Sequence, residues 1–189
     1  MPKVLRGCRA MWLTFDNEKY TVLGKDMDDL SIDLNPDTEQ KKNVLGETTT
    51  DHNGYTPSMS HDYIARKEDA IYEHIQYIAD NLAVDDEHIK ATMIVATLDI
   101  EVKDTGEKTA TGKGYKVPVM VVVDNDGGST AGYSLPFTIS EDGARVQGTV
   151  TVENKIPTFT AGASADVLAT KTSTQVKARS KDTAESNAQ

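Results

Sequence analysis

The chain is poor in several residue types, and each shortage excludes a class of protein. Its 189 residues include a single cysteine, Cys8, so no internal disulfide can form and the fold is not a disulfide scaffold for an oxidising compartment. No apolar run approaches the ~20 residues of a membrane span. The basic residues near the N-terminus are not followed by the apolar core of a secretory signal. These absences predict a protein that folds in a reducing cytoplasm and does not contact a membrane.

Positive charge is also scarce. The sequence has 30 acidic and 20 basic residues, which gives a formal net charge of −10. Only three acids and four bases lie in residues 161–189, so residues 1–160 hold 27 acids and 16 bases. A surface of this sign repels nucleic acid and anionic membranes. Plain solubility accounts for the charge equally well, and both interpretations stay open.

The sequence carries no recognisable motif of a catalytic or metal site. The glycines between Gly106 and Gly114 lack the spacing and the Ser/Thr of a nucleotide-binding loop. The run Asp124–Gly127 lacks ligands that a calcium loop needs, and it favours a hairpin turn. The four histidines have no metal-ligand spacing. We therefore predict no enzyme, no cofactor and no metal, although the abundant carboxylates leave a catalytic acid pair open.

Apolar periodicity predicts a mainly β protein with one helix. The runs Met11–Phe15 and Tyr20–Leu23 predict a hairpin, and the alternation from Leu30 to Leu34 predicts a strand. Apolar residues recur at helical spacing between Ile71 and Leu82, which predicts a helix over residues 67–82 docked on a sheet. Four alternating strands follow between residues 94 and 152. Their connectors, including residues 104–114, are short and rich in Gly and Asp, as is typical of antiparallel sheets.

Two features predict contacts with other proteins. Residues 35–50 form a polar excursion that is long for a connection in a compact domain, where about 4–6 residues are usual. It holds no catalytic constellation, so we predict a contact loop formed by Asn35, Pro36, Asp37, Glu39, Lys41, Lys42, Asn43, Leu45 and Glu47. The strand 117–123 is apolar on both faces. Its outer residues, Pro118, Met120 and Val122, are predicted to be covered by the helix or by another subunit.

The composition changes after residue 160. Residues 161–189 contain no aromatic residue and consist mainly of Ala, Ser, Thr, Lys and Gln. Such a segment cannot bury enough apolar area to offset its ordering entropy. The sequence therefore predicts one domain in residues 1–160, followed by a flexible C-terminal tail.

Taken in order, several short motifs resemble those of the major tail (tail tube) proteins of long-tailed phages and prophages. They include the aromatic first strand, Leu23-Gly24-Lys25, Asn35-Pro36, Gly54–Pro57, the single helix, Asp126–Gly128, Gly148–Val152 and the closing Pro157–Phe159. The resemblance covers roughly residues 5–160. It implies an α+β, mainly β fold of two antiparallel sheets, packed as a sandwich or split barrel and flanked by one helix.

The resemblance also implies a function and a set of partners. Copies of such a protein form homohexameric rings that stack into the tube of the virion tail, assembled in the host bacterial cytoplasm. Terminator, tape measure and baseplate or tip proteins are its other partners, and DNA passes through the lumen without specific binding. The loop at residues 35–50 would reach the neighbouring ring.

An acidic lumen suits this passage of DNA, because few cations mean few phosphate contacts. The candidate lumen acids are Asp29, Asp33, Asp99, Glu101 and Glu153, and a solvated outer face is the other interpretation of each. Two alternative functions remain at this stage. One is a monomeric β-sandwich module for interaction or decoration, similar to an adhesin. The other is a tail terminator or connector that forms one ring and stops.

Overall fold

The computed structural model of the protein describes residues 4–25, 30–105, 108–130 and 132–162. The predicted tail falls almost wholly outside these residues. Within them the chain forms two α-helices, α1 (Tyr72–Asn81) and α2 (Asp86–Ile89). It also forms twelve strands: β1 (Arg9–Thr14), β2 (Thr21–Val22), β3 (Pro36–Lys42), β4 (Thr48–Tyr55), β5 (Ser58–His61), β6 (Lys90–Leu98), β7 (Ala110–Val123), β8 (Gly127–Ser129), β9 (Gly132–Ser134), β10 (Phe137–Glu141), β11 (Val146–Glu153) and β12 (Ile156–Ala161).

Eight of these strands form one curled antiparallel sheet. Its order is β12-β11-β7-β6-β1-β2, with β10 beside β7 and β5 beside β10. The long strand β7 changes partner along one edge, because residues 110–116 pair with β11 and residues 119–123 pair with β10. Along its other edge β7 pairs with β6 over both parts. The predicted fold class, a mainly β (α+β) sandwich or split barrel of antiparallel sheets, is confirmed.

Two apolar cores lie on opposite faces of this sheet. Odd-numbered residues of β7, such as Val117 and Val119, face the first core together with Ile71 and Ile75 on the helix side. The second core lies on the other face, where Trp12 and Ile94 are fully buried. Strand β6 therefore buries both of its faces between residues 93 and 96. The predicted alternation of one buried and one polar face is too simple for this strand.

The predicted hairpin of β1 and β2 is confirmed, with Trp12 opposite Val22. The predicted strand at residues 30–34 is wrong. Only an isolated bridge between Asp33 and Ser58 forms there, and Leu30 is buried whereas Leu34 is 48% exposed. The pairing of residues 30–34 with β5 stops at Asp33, because Asn35 adopts a left-handed conformation with φ of 43° and the next residue begins β3.

The predicted helix is confirmed in its centre but not at its ends. Residues 67–71 form turns, and the α-helix begins at Tyr72. It ends at Asn81 because Leu82 adopts a left-handed conformation, with φ of 46°, and its N–H donates back to the last turn. Leu82 is 83% exposed, so it does not belong to the apolar stripe as predicted. Ile75 and Ile78 are buried as expected.

Glycine and proline mark close packing and strand junctions. The predicted connector at residues 104–114 is too long, because β7 already begins at Ala110. Gly112 lies inside the strand, where an added Cβ would come within 2.0 Å of the Thr97 carbonyl oxygen. Pro118 lies where β7 changes partner, and its carbonyl accepts a hydrogen bond from the Asp142 N–H. Proline has no N–H to donate, but this position faces the junction between β11 and β10, so no ladder bond is lost. Pro136 directly precedes β10, as predicted for a strand start.

The buried histidine of β5 makes stability sensitive to acid. His61 is 3% exposed and packs edge-on against Phe137, and burial lowers its pKa to about 4. The native state holds it neutral, whereas the unfolded chain binds a proton below its ordinary pKa of 6.5. This contribution to stability is complete above about pH 6.5 and declines as the pH falls towards 4.

We expect wild type to lose about 3 kcal/mol of unfolding free energy more than a His61→Leu variant between pH 7 and pH 4. Urea unfolding of both proteins at both pH values measures this difference. Other titrating groups are common to the two proteins and cancel. Equal acid sensitivity in wild type and variant would contradict the assignment.

Candidate interaction surfaces

Residues 36–55 form a two-stranded hairpin that stands apart from the large sheet, and we name it the arm. Strands β3 and β4 pair from Pro36 opposite Tyr55 to Lys42 opposite Thr48, as a sheet of their own. Every residue of the two strands is exposed except Gly54, which is half-buried. The predicted polar loop over residues 35–50 thus consists mainly of two paired strands and a short turn. Its polar residues pair through the backbone, and both faces meet solvent.

The root of the arm is fixed to the body through Asn35. Its side-chain amide donates to the Thr56 carbonyl at 3.1 Å and to Ser58 Oγ at 3.0 Å. Its carbonyl accepts from the Thr56 N–H at 3.2 Å. Beside it, Asp33 and Ser58 exchange two backbone hydrogen bonds of 2.8 and 3.0 Å. These bonds set the direction in which the arm leaves the body.

The tip of the arm, residues 43–47, is an ordered turn built by Asn43. The Asn43 side-chain oxygen accepts from the N–H groups of Leu45 and Glu47, each at 3.0 Å, and its amide donates to Glu47 Oε2 at 2.7 Å. Gly46 supplies the required positive φ of 83°. The turn leaves Val44 and Leu45 103% and 81% exposed. The sequence prediction included Asn43, Leu45 and Glu47 but missed Val44, although an apolar pair in a polar segment was a visible signal.

The remaining predicted contact residues lie along β3. Pro36, Asp37, Glu39, Lys41 and Lys42 are all exposed. Lys41 Nζ lies 3.1 Å from Glu39 Oε2 and 3.3 Å from Asp51 Oδ2, and more than half of each side chain is exposed. Such surface ion pairs add little to stability. The charges of the arm therefore remain available to a partner.

The predicted interface strand keeps an open apolar face. Pro118, Met120 and Val122 share the even-numbered side of β7, where Pro118 is exposed, Met120 is half-buried and Val122 is 46% exposed. Helix α1 packs on the opposite side, because Ile71 and Ile75 share a core with the odd-numbered valines. Of the two predicted covers for this face, the helix is therefore wrong. The cover by another subunit stays a prediction.

The structure does not bring the candidate lumen acids to one place. Asp99 accepts from the Thr111 N–H at 2.9 Å, and Glu153 accepts from Thr109 Oγ1 at 3.3 Å, so both lie at the start of β7. Glu101 follows Asp99 and pairs with Lys103 Nζ at 2.7 Å.

Asp33 lies elsewhere, because its partner Ser58 aligns through Ser140 with Met120 of β7. Nine residues of strand separate Thr111 from Met120, a distance of about 30 Å. Asp29 lies outside the described residues. The lumen assignment stays a prediction for each of the five acids.

Elsewhere in the described part of the chain, one group of side chains has the residue types of a metal site. Asp85, Glu87 and His88 lie close enough for their ligand atoms to fall within 4.8 Å of one another. His88 Nδ1 already makes a hydrogen bond with Asp85 Oδ2, and exposed acidic groups commonly cluster without an ion. None of the described helices has the length and apolar character to cross a membrane.

No model of a known protein family matches this chain, and no curated protein matches it either. Its function must therefore be inferred from its own geometry. The three features that carry the inference are the arm, its apolar tip and the open apolar face of β7.

Proposed function

We propose that this protein is a structural subunit that assembles with copies of itself into stacked hexameric rings. These rings form the tail tube of a phage virion, through which DNA passes, and they meet terminator, tape measure and baseplate or tip proteins at their ends. The proposal rests on one observation above all, which is the arm. It requires no catalytic group, cofactor or metal.

The arm supports assembly because neither face of its two strands packs on its own body. A two-stranded hairpin alone in water is marginally stable at best. This one has both strands exposed and yet has an ordered turn and a fixed root. Burial against a partner offsets that weakness. An arm that reaches the adjacent ring is a direct use for such a segment.

The body supports ring formation in two further ways. The sheet order leaves β2, β5 and β12 as edges, and pairing between subunits around a closed ring satisfies exposed edges. The apolar face of Pro118, Met120 and Val122 also needs a cover. The acidic charge of residues 1–160 fits a lumen that holds DNA weakly.

Electron microscopy of the purified full chain tests the proposal. At high protein concentration we expect stacked rings or tubes in negative stain, and a mass that rises with concentration in light scattering. A decoration module would remain a dispersed monomer, and a terminator would stop at single rings. Either of those results would overturn the proposed tube.

A further inference from the structure

We propose that a groove at the root of the arm is the receptor for the arm tip of a second copy of this chain. The inference rests on the proposed self-assembly and names the surface that receives the arm. The groove is defined by Leu34, Tyr55 and Pro57 on one side and by Arg6, Arg9 and Arg145 on the other. The sequence prediction included none of these six residues.

The groove consists of two adjoining clefts, and Leu34 and Arg145 line both of them. The cleft beside the arm root has a volume of about 1030 Å³. Leu34 and Tyr55 are 48% and 58% exposed, so this half presents apolar surface to solvent. Two aliphatic side chains find both space and apolar contact there.

The other half of the groove is basic in a chain that is otherwise acidic. Three of the five arginines in the sequence, Arg6, Arg9 and Arg145, line it. They come from distant positions and are brought together by the pairing of β1, β6, β7 and β11. The only carboxylate among the lining residues is Glu141, whose side chain is 7% exposed. The groove therefore keeps an excess of positive charge.

The arginines are held in place and still have donors to offer. Arg145 donates through Nε and Nη2 to Glu141 and lies 4.4 Å over the Tyr115 ring. Arg9 donates through Nη1 to Thr97 Oγ1 at 3.2 Å. Burial raises the pKa of Tyr115, and the positive charges of Arg145 and Arg9 oppose that rise. Both guanidinium groups thus face the same small region, and each retains N–H groups for a carboxylate.

The arm tip matches both halves of this groove. Val44 and Leu45 are its two exposed apolar residues, and Glu47 follows them with one carboxylate oxygen bonded to Asn43. The other oxygen of Glu47 is available to a guanidinium group. The tip therefore presents an apolar pair beside a negative charge, and the groove presents an apolar wall beside positive charges.

The tip cannot reach the groove of its own chain. Each strand of the arm runs for about seven residues, so the tip lies roughly 20 Å from the root. The root residues Asn35, Tyr55 and Thr56 themselves line the groove. As long as its strands stay paired, an arm that leaves from the groove cannot fold back into it, so another copy must supply the tip.

Donor and receptor are different surfaces of one molecule. A contact of this kind is heterologous, which means that each subunit gives one tip and receives another. Such contacts propagate in one direction instead of ending at a dimer. The geometry therefore gives a growing stack a fixed polarity.

Two variants test the docking, each with a matched control. The tip variant Val44→Ser/Leu45→Ser is compared with Leu82→Ser/Val84→Ser, since Leu82 and Val84 are also exposed apolar residues, at 83% and 86%. The groove variant Arg9→Glu is compared with Lys113→Glu, a charge reversal that aligns with Arg9 through Thr97 on the same face of the sheet. We expect the tip and groove variants to raise the concentration needed for assembly at least about tenfold. Both controls should assemble as wild type does, and circular dichroism should show a wild-type fold for all four proteins.

Mixing the tip variant with the groove variant distinguishes a lost docking contact from a general loss of assembly. The tip variant still has a groove, and the groove variant still has a tip, so the mixture can make one productive contact. We expect a finite complex of twice the mass that either variant forms alone, measured by analytical ultracentrifugation. Arg9→Glu combined with Glu47→Arg should recover assembly in a single chain, because the charges are exchanged.

The possible failures are distinguishable. Tubes formed by wild type and by both variants at the same concentration would overturn the docking and leave the proposed function standing. A wild-type protein that stays monomeric at every concentration would overturn both.

Discussion

Deleting residues 40–46 is expected to abolish tubes while leaving the body folded. The deletion removes the exposed tip and the adjoining part of β3, and it keeps every hydrogen bond at the root around Asn35. Glu39 still pairs with Asp51, so Glu47–Thr50 closes a shorter hairpin. Negative-stain microscopy measures tube length, and thermal unfolding followed by circular dichroism measures the fold. We expect the melting temperature to change by no more than about 2 °C, as for surface changes away from packed groups.

A second variant controls for chain length in this experiment. Replacing residues 40–46 with seven Gly and Ser residues keeps the number of residues and removes both the ordered turn and the apolar pair. It should also fail to form tubes. Tubes of wild-type length from either variant would show that the arm does not carry stacking. A large fall in melting temperature would show that the arm contributes to the body, contrary to its exposure.

Replacing Trp12 with alanine is expected to cost about 3–5 kcal/mol of unfolding free energy. Trp12 is fully buried in the second core. Its indole N–H donates to the Lys155 carbonyl at 3.1 Å. That carbonyl lies in the two-residue turn between β11 and β12, where Asn154 and Lys155 both have positive φ. The substitution leaves a cavity and also releases a strained turn.

Chemical denaturation measures the effect, and Trp12→Phe serves as the control. Phenylalanine fills most of the cavity but cannot donate to Lys155, so we expect a smaller loss of about 1–2 kcal/mol. In a domain of this size the alanine variant should melt about 10 °C or more below wild type. A loss below about 1 kcal/mol for alanine would mean that the second core does not depend on Trp12.

Regular apolar patterns predicted the parts of the fold that face one core. The centre of α1 and the inner valines of β7 follow their periodicity, because burial on one side imposes it. The first hairpin was predicted from its β-rich runs and its turn residues instead, since β1 is buried on both faces. The arm could not be predicted in this way. Both faces of β3 and β4 meet solvent, so no alternation exists to distinguish a polar strand from a polar loop. The alternation predicted for β6 is wrong for the opposite reason, since both of its faces are buried between residues 93 and 96.

The candidate surfaces also differ in whether a local sequence pattern marks them. The contact residues of the arm were predicted because an apolar-poor stretch of that length is unusual. The groove was not found because Arg6, Arg9 and Arg145 have no local pattern. Only the strand register joins them. Gly112 was similarly misjudged as a turn residue, because a glycine needed for close approach to Thr97 has the same letter as one needed for a bend.

The shared strand β7 also determines how the body comes apart. Its first half closes the core that contains Trp12, and its second half closes the core that contains Phe137. When either half of β7 loses its pairing, β6 loses hydrogen-bond partners too, because β6 borders both halves. We expect the two cores to unfold in one cooperative transition, because they share β6 and β7. In the proposed assembly, such a subunit would enter a ring folded in both cores or not at all.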